Sequence, residues 1–312
     1  MGLFDKIKEP VILKDDNSLK EQLKELEDFF EIINDPKVKA SLENDIALVK
    51  AGIYGEETLL FELKNSHIPM FVLHDLYLEY ESLSAQIDFL IITRKRQFVI
   101  ECKNLYGNIT INNAGDFVRM IWKRKEGIYS PVTQCKRHLE LIKQIRRAEK
   151  GNILTKALFE NNFYNNYRSV VVLANPKTVL DAKYAAKEIK SQVIRANQLI
   201  EFIRKVNAES EAVASSESEM EQLANFFLTK HQECKTDYLA KYRKSITIEP
   251  EVVTEAEEPL EVKSNNLENK DVPSCPKCGA PMIKRSATKG NNAGSQFWGC
   301  ANFPKCRGII NI

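Results

Sequence analysis

The chain has 312 residues, of which 43% are hydrophobic and 28% charged, with a formal net charge of +2. Those proportions are ordinary for a globular protein, and the length admits one substantial core plus an appendage. Apolar runs such as Val170 to Ala174 fall far short of the ~20 residues a membrane helix needs, which excludes a membrane-spanning role. No apolar signal segment follows Met1, and Lys6 stands where a myristoylation pattern takes Ser or Thr, so a cytoplasmic location is expected.

Ser18 to Ile33 has helical periodicity, with Leu19, Leu23, Leu26, Phe30 and Ile33 on one face and Ser18 as N-cap. Asp35-Pro36 ends that helix, and a second helical stretch runs to about Lys50. Both read as a lead-in for packing or partner binding, without chemistry. Gly52-Ile-Tyr-Gly55 then breaks the pattern ahead of a helix over 56–65. Glu56, Leu59, Leu60 and Leu63 occupy i, i+3, i+4 and i+7 there, so Glu56 points inward with the leucines. An acid in a first helical turn complements the helix dipole. That accounts for an acid, but not for its place on the apolar stripe.

Met70 to Leu73 reads as a strand that turns into Leu76 to Tyr80. Ile87 to Ile92 and Gln97 to Lys103 are two apolar strands joined by Thr93-Arg94-Lys95-Arg96. A tight hairpin pairs Ile92 with Gln97, and counting back pairs Asp88 with Glu101. Paired residues share a face, and Lys103 shares it too. Two carboxylates and an ammonium therefore converge at the end of a greasy hairpin. Like charges that close repel. Either a divalent cation relieves them, since carboxylate oxygens suit Mg²⁺, or Lys103 bridges two structural acids. The E-x-K pattern occurs six times in the chain, but only Glu101/Lys103 closes an apolar strand preceded by an acid-bearing one.

Asn108 to Asn112 is a short strand, and Gly115 to Trp122 looks like a further hairpin. Pro131 opens a helix over 132–150 with Leu139, Ile142 and Ile145 facing in. Its basic outer face (Lys136, Arg137, Lys143, Arg146, Arg147, Lys150) is either solvated or a phosphate track. Arg168 to Ala174 is a strand buried on both faces, Gln192 to Arg195 a short strand, Asn197 the cap of a helix to Val206, and Ser218 to Lys244 a last helix. The order implies an α/β layer with a mixed sheet between helices. Cys102, Cys135 and Cys234 are isolated and read as small buried hydrophobes.

Glu249 to Asp271 holds eight acids against Lys263 and Lys270 and no aromatics, the composition of a flexible linker. Residues 272–312 contain no acid and six cations. Cys275-Pro-Lys-Cys278 and, after 21 intervening residues, Cys300 and Cys306 have the arrangement of a tetrahedral Cys₄ zinc site. So short a module needs the metal in order to fold. Lys284, Arg285, Phe297, Trp298, Lys305 and Arg307 combine charge with rings that could stack on unpaired bases.

With CPKCG and FWGCANFPKCR, this module resembles the zinc ribbon of bacterial type I topoisomerases, which implies binding of single-stranded DNA. The central region resembles the nuclease-related domain (NERD) of the PD-(D/E)XK nuclease superfamily. Gly52-Ile-Tyr-Gly55-Glu56, Gln86-Ile-Asp88, Phe98-Val-Ile-Glu101-Cys-Lys103-Asn104 with Gly107, and Pro131-Val-Thr-Gln134 carry that resemblance. It implies a PD-(D/E)XK-like mixed sheet flanked by helices. It also implies Mg²⁺ or Mn²⁺ held by Glu56, Asp88, Glu101 and the Cys102 carbonyl, with Lys103 acting on the attacking water and Gln134 as an auxiliary polar residue. The segments expected are a helical N-terminus over 1–44, the nuclease-related domain over 45–206, a helical extension over 207–246, an acidic linker over 247–271 and the ribbon over 272–312. The expected function is a metal-dependent deoxyribonuclease with Zn²⁺ in its ribbon, acting on single-stranded or structured DNA in processing or repair. The alternatives are a non-catalytic DNA-binding adaptor and a ribbon that reads protein.

Overall fold

A computed structural model describes residues 7–234, 236–246, 273, 275–278, 282–286, 296–300 and 306–311. The acidic linker expected over 247–271 lies outside the described residues. The chain divides into two units, 1–250 and 251–312.

The first unit begins with β1 (Val11–Lys14), α1 (Ser18–Ile32), α2 (Pro36–Lys64), β2 (Met70–Tyr80), β3 (Leu83–Thr93) and β4 (Gln97–Lys103). There follow β5 (Asn108–Ile111), β6 (Phe117–Ile121), β7 (Arg124–Ile128), α3 (Pro131–Ala148), α4 (Ile153–Asn166) and β8 (Tyr167–Leu173). It continues with β9 (Leu180–Asp181), α5 (Lys187–Lys190), β10 (Val193–Arg195), α6 (Leu199–Ala208), α7 (Glu217–Lys230) and α8 (Ala240–Ile246). The second unit holds β11 (Met282–Ser286), β12 (Gln296–Cys300) and β13 (Ile309–Asn311).

The central sheet is mixed, as expected, in the order β1-β2-β3-β4-β8-β10. β2, β3 and β4 form an antiparallel meander, and β1, β8 and β10 add parallel to it. Pleat alternation gives the sheet two apolar faces. On one, Phe89, Phe98 and Ile100 pack with Leu59 and Leu63 of α2 and with Leu199 and Ile203 of α6. On the other, Leu90, Ile92 and Val99 pack with Ile142 and Ile145 of α3, Phe163 of α4 and Phe227 of α7. Each such fully buried side chain is worth about 1.5–3 kcal/mol. A second sheet, in the order β7-β6-β5-β9, takes β5, β6 and β7 from the chain between the end of β4 and the start of α3 and β9 from beyond β8, and it shares a cluster with Val132, Cys135 and β8.

Several expectations change. β1 adds an edge strand from a segment read as a helical lead-in, and the N-cap of α1 is Asn17, whose side chain accepts from Leu19 N at 2.8 Å. α2 does not break at Gly52 and Gly55 but runs through both. The glycines serve close approach instead. A Cβ on Gly55 would lie 2.8 Å from Asn104 Cβ and 3.3 Å from Cys102 Sγ, so the helix rides directly on the end of β4. β2 does not turn between Leu73 and Leu76. It continues with a kink at Asp75, whose φ is +57°. Asn197 sits in a short 3₁₀ turn ahead of α6 and does not cap it. The single helix expected over 218–244 is two, because His231 and Gln232 leave the helical path to pair with β2 at Leu78 and Tyr77. α4 was invisible as an amphipathic helix, since Ile153, Leu154 and Leu158 are exposed. The boundaries expected at 44/45 and 206/207 run through packed structure: α2 crosses the first, and α7 beyond the second buries Met220, Ala224 and Phe227 in the central core.

Gly55→Ala tests the close approach. Helix propensity favours Ala by about 1 kcal/mol, whereas overpacking costs about 1–3 kcal/mol. With Asn104 Cβ unable to swing away, the variant is expected to unfold at a lower urea concentration than wild type.

Candidate functional site

The site grows from the β3–β4 hairpin. Ile92 pairs with Gln97, and the ladder runs to Phe89–Ile100, as the count from the turn predicts. One step further, Asp88 Oδ2 accepts the Cys102 N–H at 2.6 Å, so a side chain takes over where backbone pairing stops. On the other neighbour, β2 pairs with β3 at His74–Phe89 and Leu76–Ile87 but not between them. The gap is the left-handed Asp75, directly across from Asp88. Asp75 is tied down by Gln86 Nε2 at 2.5 Å and by the Ser18 amide at 2.6 Å. The buried Lys14 ammonium adds bonds to the His74 and Asp75 carbonyls at 3.0 and 2.6 Å.

Glu101 is 1% exposed. Its Oε1 meets Lys103 Nζ at 2.5 Å. Its Oε2 faces His138 Nδ1 of α3 at 3.5 Å, and neither atom has a hydrogen-bond partner. Burial pushes the Asp88 carboxyl well above its usual range, and the charges of Glu101 and Glu56 push it further, against Lys103 and the Cys102 amide. Asp88 as a residue is half-buried. Burial also raises Glu101, with Lys103 opposing. Burial alone would lower Lys103, but Glu101 and Asp88 outweigh it and hold its pKa up. Burial, with Lys103, lowers His138 to about 4, so at neutral pH its contact with Glu101 is polar rather than ionic.

Glu56 is buried on α2, on the side where the leucine stripe put it. Its Oε2 accepts from Asn17 Nδ2 at 2.7 Å and lies 2.9 Å from His74 Nε2. His74 in turn stacks on Phe89 with ring centroids 4.5 Å apart. Asn104 Nδ2 donates to Ala51 O at 2.7 Å and ties α2 to the end of β4. The structure thus brings Asp88, Glu101 and Lys103 together, while Glu56 turns toward Asn17 and His74. The three acids do not form one ligand cluster as expected. Among the described residues, the only set of three or more ligand-type side chains with all ligand atoms within 4.8 Å is the four cysteines. Gln134 stands half-buried in the first turn of α3, one turn before His138.

Sequence reasoning missed His138, His74, Asn17 and Lys14. His138 had a signal: it precedes Ile142 by four and Ile145 by seven, so it lies on the buried stripe. His74 continues the alternation of Met70 and Val72. Nothing local links Asn17 to Glu56. The basic face of α3 is largely engaged within the fold. Arg146 lies over Phe226, Lys143 over Tyr164, Lys150 over Phe159 and Arg137 over Tyr129, while Arg147 pairs with Glu160. A phosphate track along that face is therefore not supported.

In the second unit, β12 pairs antiparallel with β11 and β13. The cysteines close in two pairs, Cys275–Cys306 with Sγ atoms 3.8 Å apart and Cys278–Cys300 at 3.4 Å. Both separations are far beyond the ~2.05 Å of a disulfide and suit ligands around one ion. The amides of Lys277, then Cys278, lower the Cys275 thiol to about 7, toward the thiolate that zinc requires. Trp298 packs against Cys275, Met282 and Cys300 and so shields the centre. Phe297 is half-buried, and Lys284 and Arg307 are exposed. Arg285 pairs with Phe297 through the backbone, its side chain lying outside the described residues, as does Lys305.

Residues 51–174 match the family model of the nuclease-related domain, and residues 272–312 match that of the topoisomerase DNA-binding C4 zinc finger. No curated protein and no solved structure matches the chain. The chain therefore carries a nuclease-like domain and a zinc ribbon of a DNA-binding type. Among the described residues, no helix is long and apolar enough to cross a membrane.

Two outcomes are expected. A carboxyl whose pKa rises on folding binds more protons folded than unfolded. Metal-free stability should therefore fall as pH climbs from the unfolded carboxyl range, about 4, through the raised value. Asp88→Asn removes part of that penalty while keeping an acceptor for the Cys102 amide, so its melting temperature without metal should exceed wild type at pH 7 and drop less from pH 5 to 8. Separately, the ribbon should release about one zinc per chain to a chelator, and Cys275→Ser should abolish that stoichiometric binding.

Proposed function

We propose that the nuclease-related domain hydrolyses phosphodiester bonds of DNA with Mg²⁺ or Mn²⁺, in DNA processing or repair, and that the ribbon holds single-stranded or structured DNA for it. The observation that carries this reading is the convergence of Asp88, Glu101 and Lys103 at one end of the hairpin, with both carboxyls held above their usual range. The residues fit a hard cation. Glu101 Oε2 is buried without a partner, Asp88 Oδ2 is the Asp88 oxygen that accepts the Cys102 amide, and Mg²⁺ commonly takes only one or two carboxylates with water completing its shell. Asp88 and Glu101 would hold it, with the Cys102 carbonyl as a further ligand. Glu56 would join through its second oxygen, the one not engaged by Asn17 and His74. Bound there, the cation would acidify a water and offset charge on the phosphate.

The chain's own groups supply the rest. Lys103, its pKa raised, keeps its proton at Nζ at neutral pH. It therefore acts as a cation and donor that orients water and balances the anionic phosphate, not as the base. His138, neutral and buried, stands against Glu101 from the α3 side, and Gln134, one turn earlier on α3, would act as the auxiliary polar residue. Tethering the ribbon to the domain raises the local concentration of DNA without new contacts.

The non-catalytic adaptor draws on a single observation: Glu56 faces Asn17 and His74 rather than the other acids. Cleavage of plasmid and single-stranded DNA with Mg²⁺ or Mn²⁺ separates the two readings. The nuclease reading expects at least a ~100-fold loss of rate for Lys103→Ala and for Asp88→Asn. It also expects cation binding in a calorimetric titration that weakens in Asp88→Asn. Cleavage that survives Lys103→Ala unchanged, or the absence of any cation binding, would leave the adaptor standing.

A further inference from the structure

The β6–β7 hairpin closes through a two-residue turn, Trp122-Lys123, with Ile121 paired to Arg124. Such turns take Gly or Asn where φ is positive. Here the first turn residue is Trp122, at φ +55° and 87% exposed. A bulky residue in that backbone region is an outlier, and an exposed indole gains nothing from the core. Lys123, Arg124 and Lys125 follow, all exposed. None of the three meets an acid among the described residues, whereas the nearby Arg119 is paired with Glu126.

The tip is wired to the candidate site. β5 begins five residues after Lys103, and α3, with Gln134 and His138, begins three residues after β7 ends. A Cβ on Gly107 would lie 2.6 Å from Met120 O, so the chain leaving Lys103 runs under the end of β6. Covalent reach and that contact hold Trp122 within about 30 Å of Lys103, less than the ~34 Å of one duplex turn. Tyr106, beside Gly107, is a second exposed aromatic at the same end.

We propose that the hairpin tip at Trp122 to Lys125 is a contact surface for a DNA strand, where Trp122 stacks on an unpaired base and Lys123, Arg124 and Lys125 bind phosphates. This rests on the nuclease reading only for its purpose. The binding chemistry, an exposed ring plus unpaired cations, stands without cleavage. It also separates the domain's own grip on DNA from that of the ribbon.

The test uses the full chain without added magnesium, in a Trp298→Phe background that leaves Trp122 as the sole tryptophan. A dye-labelled oligothymidine of about 30 nucleotides and a duplex of equal length are the probes. Trp122 emission should be quenched by the single strand. Trp122→Ala should weaken its binding at least ~5-fold. The triple change Lys123→Gln, Arg124→Gln, Lys125→Gln should reduce the salt slope for the single strand by about 2. Affinity within twofold of wild type in Trp122→Ala, an unchanged slope in the triple variant, or a loss in Trp122→Ala that falls on the duplex and not on the single strand would overturn the proposal. Because binding is read without cleavage, these outcomes are independent of whether Lys103→Ala abolishes hydrolysis.

Discussion

The hydrogen bond from the Cys102 amide to the Asp88 carboxylate is the interaction on which the first unit's chemistry depends. It occupies the place where the next rung of the β3–β4 ladder would fall. By taking that rung, Asp88 gives up backbone pairing and brings its charge beside buried Glu101, close to where α2 carries Glu56. Two acids are thereby concentrated where water screens them poorly, and Lys103 compensates only in part. A fold seeking stability alone would not keep this arrangement, which is why perturbed, partly compensated acids point to a function.

The surroundings are arranged to hold that end of the hairpin open. The Asp75 kink removes β2 as a pairing partner at Asp88, and Gln86, Ser18 and Lys14 hold the kink in place. Gly55 brings α2 down onto the end of β4, and the bond from Asn104 to Ala51 fixes the approach. Glu56 is thereby delivered to the same end of the sheet, where Asn17 and His74 define its orientation. The N-terminal segment is thus part of the site's scaffold and not an accessory to it.

The ribbon follows a different economy. Three short strands enclose little apolar surface, and Cys275, Cys300 and Cys306 with Met282, Trp298 and Ile310 make up the described cluster. A metal ion does there what a core does in the larger unit. Trp298, in sequence a candidate base-stacking ring, is committed largely to this cluster. Among the described residues, Trp122 in the first unit is an exposed aromatic with cations beside it that meet no acid.

The sequence by itself determined the hairpin, its register, the shared end of Asp88, Glu101 and Lys103, the inward face of Glu56 and the gathering of four cysteines around one centre. All of these follow from short-range rules: alternation with period two, a four-residue turn, helical spacing and ligand spacing, each spanning a few tens of residues. Only the tertiary structure decided what those groups meet. Asn17 reaches Glu56 across 39 residues and Ser18 reaches Asp75 across 57, while α7 returns from beyond residue 216 to cover β2. Such partners are chosen by packing between distant elements, where a kink at Asp75 or a missing Cβ at Gly55 shifts an approach by ångströms, and no local pattern records that choice.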